Sequence, residues 1–124
     1  MLVLRENQIR TLQQAALENF KTCAHTDLSE RYQAKLQAHH AGYLSDLIEY
    51  GIAKCDAYGI THQDDVIEVL ERMIAQGLDF EHAPRNGYVL AIFRDSHIPG
   101  DQKVYEVTKR EVAAALSKTP GRSG

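Results

Sequence analysis

The chain has 124 residues, 44% of them hydrophobic and 25% charged, with a formal net charge of -3 and a pI near 6.0. That is the balance of one globular domain able to bury a modest core without disulfides or metal, and it excludes disorder of the whole chain. The basic residues are scattered, so no positive footprint for offsetting nucleic-acid phosphates is formed.

The opening "MLVLRENQIR" reaches polar and acidic residues by position 6 and has no apolar run of signal-peptide length. Every other apolar run is too short to span a bilayer, so a cytoplasmic protein without membrane insertion is expected. From Glu6 onward, Ile9, Leu12, Ala16, Leu17, Phe20 and Ala24 recur at threes and fours, the stripe of an amphipathic helix. At "HTDLSE" the pattern weakens, and Leu28, Tyr32 and Leu36 resume it. Two readings compete there: a second helix capped by Thr26 or Asp27, or one long bent helix.

Gly42 breaks the run, after which Leu44, Leu47, Ile48, Gly51, Ile52 and Cys55 make a further apolar face. Glycine inside a helix costs about 1 kcal/mol, so Gly51 on that face suggests close approach of another helix. Gly59 suits the left-handed position after a helix end. Thr61 is then the expected N-cap of the next helix, with Asp64 at its third position and Asp65 adding negative charge to the first turn. Ile60 and Val66 would staple that corner. Val66, Val69, Leu70, Met73 and Ile74 follow as a helical stripe that ends at Gly77.

The segment "LDFEHAPRNG" reads as an ordered loop anchored by Leu78 and Phe80 turning inward. "YVLAIFRD" is a continuous apolar run, and with no second strand to pair with it is read as a helix. Pro99-Gly100 marks a turn, and Asp101 is the expected cap of a last helix carrying Val104, Val107, Glu111, Ala114, Ala115 and Leu116. The tail "SKTPGRSG" should fray. The expected architecture is all-α: a compact bundle of about five helices with a capped αα corner at Gly59-Thr61, one domain over residues 1–117 and a flexible tail over 118–124.

No chemistry-bearing constellation emerges, and an enzyme is not expected. His39 and His40 are adjacent and would point about 100° apart on a helix, while His25, His62, His82 and His97 lie at separate segment ends. Neither a paired-cysteine spacing nor an H-E-x-x-H motif occurs, so no metal and no cofactor is expected. Cys23 and Cys55 are read as reduced core residues. Asp64 and Asp65 face different directions and already have a role at the helix start, while Asp79, Glu81 and Asp95 are scattered. The sequence has six tyrosines, and tyrosine suits half-wet contact surfaces. Tyr50 and Tyr58, eight residues apart on roughly one side of a helix, are the leading surface candidates for protein binding, with Asp46 and Lys54 nearby.

The stretches "LRENQIRTLQQAALENF" and "LIEYGIAKCDAYGITHQDDVIEVLERMIAQGLDF", followed by a proline loop and a short apolar segment, resemble a family of small helical bacterial proteins. The genes of that family sit beside effectors of the type VI secretion system. The resemblance covers positions 4 to 95 and is most specific at Gly51, Tyr58-Gly59-Ile60, Asp65, Met73, Gly77 and Asp79-Phe80. Where the family usually carries a tryptophan after the proline loop, this chain has Tyr88, and it has no tryptophan at all. The resemblance implies a protein partner, a secretion effector or toxin, and names no catalytic residue. It leads to an accessory or adaptor that holds an effector for loading. The alternatives are an immunity protein that covers a toxin, or a structural component of a secretion assembly, with a homo-oligomer also open.

Overall fold

The structure, a computed structural model, describes residues 2–117, with side chains over 14–116. All regular elements among them are helical: α1 (Leu2–Arg31), α2 (Gln33–Leu36), α3 (Tyr43–Ala57), α4 (Gln63–Gln76), α5 (Gly87–Arg94) and α6 (Gly100–Ser117). Single 3-10 turns at Phe80–His82 and Pro84–Asn86 join α4 to α5. The fold is therefore all-α, with five helices of eight residues or more and one short helix, α2. By contact density the chain divides into two units, Met1–Glu49 and Tyr50–Gly124, with the boundary inside α3.

In the first unit the long-helix reading holds, since α1 runs unbroken to Arg31. No glycine or proline interrupts residues 2–31. Asp27, one of the two candidate caps, accepts the Arg31 guanidinium one turn later, at 3.0 Å from Nε and 2.7 Å from Nη2. That i,i+4 pairing supports the helix where a cap would have ended it. Thr26 contributes a backbone carbonyl, which takes a hydrogen bond from the Ser29 hydroxyl at 3.0 Å. Lys21 of α1 donates to Glu49 of α3 at 2.9 Å. Buried side chains here are Ala24, Leu28, Leu44, Leu47 and Ile48. Leu17 and Phe20 are half-buried and Ala16 is exposed, while the side chains of Ile9 and Leu12 lie outside the described residues. Cys23, expected in the core, is exposed. It stands one position, about 100°, away from buried Ala24 on the same helix.

In the second unit α4 supplies the principal apolar face, with Val66, Val69, Leu70 and Met73 all buried. Full burial of such side chains contributes about 1.5–3 kcal/mol each. They meet α3 at Gly51, where an added Cβ would collide with the Leu70 side chain and lie 3.0 Å from Met73 Sδ. The close approach expected at Gly51 is thus present, and it is α4 that approaches. Val89, Ile92 and Phe93 of α5 and Val104 and Val107 of α6 complete the core. Polar groups clip its edge: Arg72 of α4 pairs with Glu111 of α6, and the Tyr88 hydroxyl donates to the same carboxylate at 3.3 Å.

The α3–α4 corner follows the sequence reading at Gly59 and departs from it at Thr61. Gly59 adopts φ +77, with its N–H on Asp56 O at 3.1 Å, and Ile60 N–H reaches back to Cys55 O at 2.8 Å. These two bonds form a Schellman closure, and Ile60 and Cys55 are both buried beside it. Beyond it, His62 takes the N-cap position of α4 in extended backbone, and no side-chain hydrogen bond caps the helix. Thr61 is exposed and one residue too early for the expected role. Because the helix starts one residue later, Asp64 and Asp65 fall at its second and third positions, where their charges complement the dipole. Gly77 ends α4 with φ +116.

Two further expectations are corrected. Leu78 is exposed, and Phe80 alone turns inward. Asp101 lies inside the first turn of α6 because that helix already begins at Gly100. An added Cβ on Gly100 would collide with the Gly59 carbonyl, so the start of α6 rests directly on the α3–α4 corner. On α6, burial ends near Glu111: Val112 and Leu116 are exposed, as are Ala114 and Ala115. The tail over 118–124 lies outside the described residues.

Candidate functional site

Along the second unit's part of α3 and the residue that follows it, positions 50, 54 and 58 succeed one another at four-residue spacing and form one row, Tyr58 N–H still reaching Lys54 O at 3.2 Å. Tyr50 and Tyr58 mark its ends, and the small side chains of Ala53 and Ala57 lie beside it. The turn Phe80–His82 faces this row and closes a cleft of about 330 Å³ lined by Tyr50, Ala53, Lys54, Ala57, Tyr58, Asp79, Glu81 and His82.

Lys54, expected at the surface, is buried there. Its ammonium donates to Glu81 Oε1 at 2.7 Å and to the Leu78 carbonyl, and stands 3.4 Å from Asp79 Oδ1. It also sits over the rings of Tyr50 and Phe80, at 5.1 and 5.5 Å from their centroids. Glu81 is as deeply buried, with its side chain 1% exposed against 6% for Lys54. Its second oxygen accepts the Tyr58 hydroxyl at 3.1 Å. A charge pair this dry persists because each partner satisfies the other and further hydrogen bonds complete both.

At the mouth of the cleft the Tyr50 hydroxyl donates to Asp79 Oδ1. This bond holds the Asp79 carboxyl below the usual carboxylate range and raises the Tyr50 phenol. Burial, helped by the nearby Glu81 charge, raises the Tyr58 phenol. Asp79 remains 58% exposed, and its Oδ2 takes up no hydrogen bond among the described residues.

Of the four residues expected to bind a partner, the fold brings Tyr50, Lys54 and Tyr58 together. Asp46 is exposed in the first turn of α3 and belongs to the other unit. The residues expected to shape the fold take varied places: Gly51 at the α4 contact, Gly59 and Gly77 in positive-φ conformations, Asp64 in the first turn of α4, Phe80 in the core and Thr61 outside its cap. Asp79 and Glu81, read as scattered, are the residues missed. The signal was Lys54 itself, three positions after Gly51 and one before Cys55, on a face that could bury a lysine only beside a carboxylate.

Other chemistry finds little footing. Burial pushes the Cys55 thiol up to about 12, which keeps it protonated and unreactive at neutral pH. Among the described residues no group of three or more histidine, cysteine or acidic side chains is arranged to hold a metal ion. Nor is any helix among them long and apolar enough to cross a membrane.

The fold and the cleft thus define a small all-α protein with a tyrosine-rimmed, charge-paired groove. No family model, no curated protein and no solved structure matches the chain.

Proposed function

We propose that this chain is a non-enzymatic accessory protein that binds a protein partner, an effector or toxin of a bacterial type VI secretion system, in the cytoplasm. The observation that carries the binding reading is the groove on α3, rimmed by half-exposed Tyr50 and partly buried Tyr58 and lined by Ala53 and Ala57. Tyrosine combines apolar area with a polar tip and little entropy to lose, the combination enriched where proteins meet. The buried Lys54–Glu81 pair holds the groove's two walls together, so the surface is preformed. The class of partner comes from the sequence resemblance, and the acidic net charge suits a basic partner surface.

Capture with the tagged protein from the cells that produce it, followed by mass spectrometry, tests this reading. Recovery of one secretion effector or spike component is the expected outcome. Growth rescue on co-expression with a recovered toxin would move the assignment to immunity, whereas loss of effector export on deletion would establish the accessory role. Elution of the protein alone, at native expression and under gentle lysis, would overturn partner binding in favour of self-association.

A further inference from the structure

We infer that the α3 groove receives one arginine side chain of the partner, its guanidinium on Asp79 Oδ2 and its methylenes along Ala53 and Ala57 between the two tyrosines. The inference rests on the protein-binding reading and specifies the chemistry of its site.

Three features support it. Tyr50 and Tyr58 are eight residues apart, about 12 Å of helix, and the small side chains of Ala53 and Ala57 leave a trough there longer than an extended arginine side chain. Lys54, Asp79 and Glu81, the lysine and carboxylates of the lining, carry charges that sum to -1, which favours a cation. Glu81 is spent on Lys54 and Tyr58, whereas Asp79 offers an exposed oxygen without a hydrogen bond among the described residues. The site's affinity for a cation is already visible in Lys54, which lies against a ring of the same groove and both its carboxylates. An arginine, planar and able to stack on tyrosine while donating to a carboxylate, fits the remaining space better than a compact ammonium.

The probe is the neutral-ended peptide acetyl-Gly-Arg-Gly-amide, titrated into the 15N-labelled full chain, with the citrulline peptide as an uncharged isostere. Saturable shifts of the Tyr50, Ala53, Ala57 and Asp79 amides are expected with arginine, and binding at least about ten-fold weaker with citrulline or with Asp79→Asn. Asp79 is exposed, so this variant should fold, and an unchanged circular dichroism spectrum verifies it. Tyr50→Phe, which keeps the ring, should retain most of the binding. Equal binding of citrulline, indifference to Asp79→Asn, or saturable shifts elsewhere would overturn the inference. So would the absence of saturation, or tighter binding of free arginine amide, which would mark a small-molecule site. Capture of the same partner by wild type and Asp79→Asn alike would remove this contact and leave protein binding standing.

Discussion

At the scale of single residues, the glycine and the threonine of the α3–α4 corner separate backbone demand from side-chain chemistry. Gly59 was legible because a helix stripe stopped there, and its φ of +77 is a conformation that side-chain-bearing residues adopt at a cost. Thr61 was misread because cap position depends on where the chain re-enters the helix, and a Schellman closure ending at Ile60 delays that point to His62. Gly59→Ala should therefore destabilise by about 1–2 kcal/mol in urea unfolding. Thr61→Ala should change stability by less than about 0.5 kcal/mol, since the exposed hydroxyl caps nothing. A cost of a full cap for Thr61→Ala would restore the original reading. Gly100 carries a requirement invisible in sequence, because the atom it must avoid belongs to Gly59, 41 positions earlier.

At the scale of elements, periodicity located α4, which alternates buried and exposed faces over its length, whereas α5, a continuous apolar run, was legible as a helix only because no second strand could pair with it. What periodicity could not supply was the Leu78–Asn86 segment, whose place is fixed by few and specific bonds. Asn86 donates to the Phe80 carbonyl at 2.8 Å and to Gln76 Oε1 at 3.0 Å, and Glu81 reaches Lys54. Such bonds join particular atoms and leave no repeating pattern. Because the Lys54–Glu81 pair is dry, removing one partner strands the other: Lys54→Met or Glu81→Leu alone should cost about 3–5 kcal/mol. The double variant should recover much of that loss, as apolar replacement of a whole buried pair is often neutral. Chemical denaturation of the three variants measures the coupling; strictly additive losses would show that the two charges do not depend on each other.

At the scale of the whole molecule, composition identified a folded chain and its helical stripes the all-α class, but Asp79, Glu81 and His82 join the candidate site only through the fold. The Tyr50 phenol and the Asp79 carboxyl at the cleft's mouth also contribute to how stability responds to pH. Asp79 titrates below its ordinary 3.8 in the folded state, so its contribution is present above that value and is lost as pH falls through the folded one. Tyr50 titrates above its ordinary 10.0, so its contribution is full below 10.0 and is lost as pH rises through the folded value. The Tm difference between wild type and Tyr50→Phe should thus be flat across neutral pH and shrink at both extremes. A difference independent of pH throughout would mean that the Tyr50–Asp79 bond contributes nothing to folding.

Lys103 has a consequence in time as well as in space. Its buried ammonium donates to the carbonyls of Tyr58 at 2.8 Å and Phe93 at 2.5 Å, gathering the end of α3 and the end of α5 onto α6. Helix ends ordinarily fray one by one, at little cost and far more often than the protein unfolds. Here one cation ties two such ends together, so the final turns of α3 and α5 should open as a single event, and slowly. Native-state hydrogen exchange would show their amides sharing one opening free energy in the wild type and separating into two faster classes in Lys103→Met.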